Sequence, residues 1–175
     1  MDQTVVLKEN MNLRDALEKY GTIAWYCRGR SMKPLIREGL DFVVISKPDR
    51  EIRPYDIVIY EREDCDTVAP MPTEDCAPVK KEYVLHRVIK KDGDELIILG
   101  DNCITCEHVP AESIIGVMTG LLRNGRIVDF EGAGYRAYVN LWVRPRRLRV
   151  GLTRARLAAK RAYAKAKNGG ERGSY

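Results

Sequence analysis

The sequence predicts a mainly β protein: a small antiparallel, barrel-like sheet domain with a short N-terminal helix and a basic helical tail. Three observations lead there. Short runs of alternating apolar and polar residues, cut by turn pairs such as Asp92-Gly93 and Asn124-Gly125, fill the middle of the chain. Helical spacing with start and stop signals is confined to the N-terminal part, and an Ala- and Arg-rich helical pattern returns from Gly134 onward. Strands do not alternate with helices, as a βαβ fold would require.

Asn12 can cap the first helix, Leu13, Ala16 and Leu17 recur on one face, and Gly21 stops it. Strand patterns follow at Thr22–Arg28, Asp41–Ser46 and, after the Arg53-Pro54-Tyr55 turn, Ile57–Tyr60. Further strands are expected over Glu82–Lys90, Glu95–Leu99 and Ser113–Leu122, with a return through Ile127–Phe130 after Asn124-Gly125. Residues 61–79, with Pro70, Pro72, Thr73 and Pro78 among acids and no apolar period, read as a long surface loop or insertion. The division implied is a domain over 1–133 and a basic helical tail over 134–175, broken near Pro145.

At 175 residues the chain can bury one core, and 45% apolar with 31% charged residues is ordinary for a globular protein. No run approaches the roughly 18–20 apolar residues of a membrane span. The first ten residues carry Asp2, Lys8 and Glu9, so they do not read as a secretory signal. The expected location is cytoplasmic or peripheral to a membrane. Charge is uneven: from Arg144 to Tyr175 there are eleven Lys or Arg against one acid, Glu171, on an otherwise acidic body. Such a tail suits an anionic surface. Leu141, Trp142 and Val143 offer an apolar handle, and the Arg144–Lys167 stretch can set its cations against lipid headgroups at about 1 kcal/mol each. The alternative is a solvated helix; no specific nucleic acid is predicted, because aromatic interleaving is absent.

Five cysteines make an odd count: Cys27, Cys65, Cys76, and the Cys103-x-x-Cys106 pair. Free thiols are the first reading and a disulfide the second. A four-thiolate zinc site is the third, with Cys65 and Cys76 wrongly spaced for a knuckle. No metal or cofactor is expected.

The chemistry-bearing stretch is Gly29-Arg30-Ser31-Met32-Lys33-Pro34, where a serine at a strand end can hold its hydroxyl free of ladder bonding. A serine nucleophile needs a base. Of the two histidines, His86 lies on a strand with Val84 and Val88, whereas His108 sits beside Pro110 in a loop. An acid follows in Gly100-Asp101-Asn102, where it can orient an imidazole.

In this order, Ser31-Met32-x-Pro34, Gly39-x-Asp41-x-Val43-x-Ile45, Tyr55-Asp56-Ile57-Val58, His86-Arg87-Val88 and Gly100-Asp101-Asn102 resemble the boxes of signal peptidase I and the related SOS-repressor autoproteases. The histidine resembles the archaeal and endoplasmic-reticulum branch, whereas the bacterial enzymes use lysine. The resemblance covers roughly Gly29 to Val117 and implies a serine endopeptidase processing signal-peptide-like precursors. Ser31 would be the nucleophile, His86 the general base, Asp101 the orienting acid in preference to Glu107, and Gly29, Met32 and Pro34 the substrate-facing turn. The chain departs from the pattern where Leu40 separates Gly39 from Asp41, where Glu107 stands for a second aspartate, and where Gly29 lacks an oxyanion-hole hydroxyl. It also shows no membrane anchor. Two other classes stay open: a self-cleaving regulator of the same fold, for which 30 residues before Ser31 are few, and a non-catalytic relic binding peptides or membranes.

Overall fold

Turn chemistry and the two-residue period build most of the structure, a computed structural model that describes Val5–Val6, 12–63, 81–130 and 132–170. Helix α1 (Leu13–Tyr20) is capped by Asn12, whose side chain accepts from the Arg14 N–H at 2.9 Å, and buries Leu13, Ala16 and Leu17. Its strands are β1 (Val5–Val6), β2 (Thr22–Tyr26), β3 (Asp41–Ser46), β4 (Ile57–Glu63), β5 (Lys81–Asp92), β6 (Glu95–Leu99), β7 (Glu107–Pro110), β8 (Ile114–Arg123) and β9 (Arg126–Ile127). In β3 the alternation is plain, with Asp41, Val43 and Ile45 buried and Phe42 exposed. The β8–β9 hairpin turns on Asn124 and Gly125, both at positive φ (51° and 74°), as a tight turn matched to strand twist demands.

The strands form one sheet in the order β1-β2-β3-β8-β4-β5-β6-β7, with β9 on β8. This corrects the expected fold class in two respects. The sheet is open rather than barrel-like: β1 and β7 end it without pairing to each other. Closure needs edge strands long enough to share a ladder, and these have two and four residues. Nor is the protein mainly β. Helices hold nearly as many residues as strands, chiefly through one 25-residue tail helix, so the fold is mixed α and β. Alternation along a sequence marks strands; it does not say which strands meet. All pairings are antiparallel except β1 with β2.

Register shifts at Val44/Ile45, Ile59/Tyr60 and Val88/Lys90 bend the sheet. Both faces of β5 are buried from Val84 to Val88, and Val58, Tyr60, Val84, Val88, Leu96, Ile98 and Val109 form one core cluster. The chain divides into two units, Met1–Val128 and Asp129–Tyr175. The second holds α2 (Ala133–Tyr138), a π-helical segment Val139–Val143 and α3 (Arg146–Gly170). The break falls at Pro145, which cannot donate to the preceding turn but accepts from the Arg149 N–H at 3.2 Å. No described helix is long and apolar enough to cross a membrane. Of the expected 61–79 loop, residues 61–63 belong to β4; the rest, with Cys65 and Cys76, lies outside the described residues.

Candidate functional site

Two loops and one strand make the site. After β2 the chain enters a run of turns, 31–36, fixed by burial of Met32, Leu35 and Ile36 and by the Ile36 N–H donating to the Met32 carbonyl at 3.0 Å. The Lys33–Pro34 peptide is cis. The Gly100-Asp101-Asn102 loop clamps this turn from the other side. Asn102 donates its backbone N–H to the Ser31 carbonyl at 2.7 Å and its side-chain amide to the Arg30 carbonyl at 3.2 Å. Motifs some 70 residues apart in the chain therefore hold one another by the backbone.

His86 comes from the buried stretch of β5 and lines the same cavity, of about 320 Å³, as Ser31, Gly29, Met32, Cys103 and Glu107. Gly100 explains how closely they approach. A Cβ there would meet the Cys103 sulfur at 2.7 Å, the Ser31 carbonyl oxygen at 2.8 Å and His86 Nε2 at 2.9 Å. Only glycine leaves that space open. Nε2 thus faces the serine turn and Nδ1 points away from it. Among the described residues no hydrogen bond joins the Ser31 hydroxyl to the ring; both groups border the cavity.

Behind the ring, Glu107 at the start of β7 places Oε1 3.3 Å from Nδ1. Its other oxygen accepts from the Tyr60 hydroxyl at 2.8 Å, with Arg62 at 3.5 Å. Tyr60 also stands 3.4 Å from Nδ1. Burial lowers the pKa of His86 below the usual imidazole value, and the Glu107 charge opposes this without cancelling it. The neutral, proton-accepting form is therefore favoured near pH 7. Burial, then the hydrogen bond to Glu107, pushes the Tyr60 phenol well above its ordinary value, so it remains a donor.

The acid expected to orient the imidazole stands elsewhere. Asp101 is buried and meets Arg87 in a fork, Nε to Oδ1 at 2.8 Å and Nη2 to Oδ2 at 2.6 Å, and acts on His86 as a nearby charge. Arg87 also donates to the carbonyl of Tyr55, a residue at positive φ (77°). The resemblance implies Asp101 in preference to Glu107, from its place in the Gly100-Asp101-Asn102 box. Geometry reverses the ranking, because β7 pairs with β6 and carries Glu107 opposite Ile98, to the Nδ1 side. The sequence assigns no role here to Tyr60 or Arg62, and names Arg87, Gly100 and Cys103 only within motifs. Arg87 carries a signal of its own, as a cation in a run of otherwise apolar strand residues next to the histidine.

The expected substrate-facing residues divide. Gly29 and Met32 line the cavity, Pro34 does not, and the Gly29 N–H donates to Glu38 at 2.8 Å. Asp41, displaced by Leu40 from Gly39, is wholly buried at the start of β3 and held by Arg37 (2.9 Å) and Arg123 (2.8 Å). Cys27 is a buried free thiol and Cys106 an exposed one, while Cys103 is half-buried and borders the cavity. Among the described residues no group of three or more His, Cys, Asp or Glu is placed to hold a metal ion. Comparison with family models and with curated proteins finds no match to this chain.

Proposed function

We propose that the protein is a serine endopeptidase of the signal-peptidase type, with Ser31 as nucleophile, His86 as general base and Glu107 as the orienting acid. The observation that carries the reading is the two-sided environment of the His86 ring. Glu107 sits at Nδ1, while Nε2 opens onto the cavity that Ser31 borders. As the Ser31 hydroxyl attacks a peptide carbonyl, its proton passes to Nε2, and the Glu107 carboxylate stabilises the imidazolium that forms. The same proton then goes to the departing amine, leaving an acyl-serine that water hydrolyses through the same base.

The substrate is an extended peptide. Among the described residues β5 pairs with β4 from Lys81 but with β6 only from Arg87, and β2 pairs with β1 only at Ile23 and Ala24. Trp25 and Glu82–His86 line the cavity, and among the described residues no strand pairs with the second edge of either. A peptide strand can pair there. Replacing Ser31 by Ala should abolish cleavage of a fluorogenic precursor peptide with small side chains before the cut, leaving the unfolding midpoint unchanged. Cleavage at the original rate sinks the assignment.

We also propose an anionic lipid surface as the partner of α3. Leu148 and Leu152 lie one turn apart on one face and are 72% and 60% exposed, and Ala155 and Ala159 continue the stripe. Arg146, Arg147, Arg149, Arg154, Arg156, Lys160 and Arg161 occupy the rest of the circumference. Apolar stripe and cationic flanks together fit a helix lying in a headgroup layer.

A further inference from the structure

Glu107 stands where the resembled pattern has a second aspartate, and its extra methylene adds a torsion that must be fixed before the carboxylate can serve the ring. Tyr60 stands in place to fix it. It is buried on β4, where Val58 pairs with His86 and Tyr60 with Val84 across the β4–β5 ladder. Residues two apart share a face, so the phenol lies diagonally beside the imidazole, edge-on at 63° with ring centroids 6.3 Å apart. Its hydroxyl donates to Glu107 Oε2 at 2.8 Å, and the other carboxylate oxygen lies 3.3 Å from Nδ1. Arg62 reaches the same carboxylate only at 3.5 Å, while its Nη2 meets Glu82 at 2.8 Å.

The hydroxyl oxygen of Tyr60 itself stands 3.4 Å from Nδ1. Its one proton is committed to the carboxylate, so toward the ring it can only accept. Nδ1 therefore faces two acceptors, Glu107 Oε1 and Tyr60 Oη, and a neutral ring so placed carries its proton on that nitrogen. The lone pair is left on Nε2, the nitrogen that faces the serine turn. We propose that Tyr60 is a positioning residue: it anchors Glu107 against the ring and fixes the tautomer that makes Nε2 the base. This rests on the reading of His86 as general base. Tyr60 neither gains nor loses a proton; as Nε2 takes the Ser31 proton, the imidazolium forms beside a carboxylate already held in place. Arg62 on β4 and Asp101 in the loop after β6 also act on the ring, and Arg28, Arg30, Glu82 and Cys103 line its cavity. The substitutions that follow leave all of these in place.

The test uses the full chain, isotope-labelled at the ring nitrogens of its two histidines, with His108→Gln to assign the signals. NMR should show neutral His86 protonated at Nδ1. Tyr60→Phe keeps the ring and loses only the hydroxyl. It should mix the two tautomers and move the His86 titration to lower pH, because a carboxylate released from the ring favours the imidazolium less. Glu107→Asp, a second route to the same break, keeps the charge but shortens the span from hydroxyl to Nδ1 and should move the titration the same way. An unchanged tautomer or midpoint overturns the proposal. So does a midpoint that rises, since the hydroxyl would then only draw charge from the carboxylate. In parallel, cleavage of the fluorogenic precursor peptide by Tyr60→Phe should show kcat lower by roughly tenfold, the loss of one hydrogen bond to a charged group, with KM unchanged. In a Glu107→Gln background the same change should cost nothing further, and losses that simply add overturn the anchoring. A parent chain that cleaves no peptide overturns the peptidase reading, while the ring spectra still judge Tyr60 by themselves.

Discussion

The two units of the chain handle charge in opposite ways. In 1–128, ionised groups are drawn inside and matched: Asp101 with Arg87, and Asp41 with Arg37 and Arg123. In 129–175, cations ring a helix whose leucines face outward. Burying a charge costs more than a single ion pair returns unless the hydrogen bonds are complete. The first unit meets that cost with forked, short contacts at the loops that carry the site. The second leaves most of its cations at least partly exposed, where charge costs little. The first pattern serves geometry and the second serves attachment, and each can be broken separately.

The largest effect is expected at Arg87. Replacing it by Met leaves Asp101 buried without its cation and removes the donor to Tyr55, so urea unfolding should show a loss of about 3–5 kcal/mol. The double change Arg87→Met with Asp101→Leu should recover most of it, because an apolar pair of similar volume needs no solvation. A single-variant loss within experimental error would break the contrast between the units.

Asp41 comes next and carries a pH signature. Burial alone raises its pKa, but hydrogen bonds from Arg123 and Arg37 outweigh this and hold it at about 2. A carboxylate with a folded value below its unfolded value of about 3.9 contributes stability above that pH. The contribution, about 2–3 kcal/mol, is lost as pH falls from about 4 through about 2. Asp41→Asn should cost that much at pH 7 and progressively less as pH falls through about 2, measured by denaturant midpoints across the range. A pH-independent difference would mean that the site senses shape rather than charge.

How much of this the sequence revealed follows the same division. Local signals were legible: the Asn12 cap, the Asn124-Gly125 turn, and the spans of β3 and β6 match to the residue, because neighbouring residues decide them. Ser31 and His86 border one cavity, with no hydrogen bond between them among the described residues. Pairing order was not legible. β8 inserts between β3 and β4, and short β1 and β7 end the sheet, through contacts far apart in sequence. The same limit misplaced the acid behind the imidazole. Asp101 and Glu107 sit six residues apart in one loop-and-strand segment, and only the β6–β7 register decides which of them reaches Nδ1.

The smallest effect on folding, and the sharpest separation of the units, is expected on α3. Changing Leu148 and Leu152 together to Gln removes the apolar stripe from a face already in water, so stability should move by less than about 0.5 kcal/mol. Binding should respond quite differently. Sedimentation with vesicles containing phosphatidylserine should be strong at low salt for the parent chain and weak for the double variant. Trp142, which stacks against Arg149 with the guanidinium 4.7 Å from the ring centroid, supplies a fluorescence signal for the same titration. Because headgroup attraction is screened over about 8 Å at physiological ionic strength, added salt should weaken the parent strongly. Equal binding of the parent and variant to vesicles would remove the leucines from the argument. Tight, leucine-independent binding to duplex DNA or RNA instead would assign the cations to nucleic acid and overturn the lipid reading.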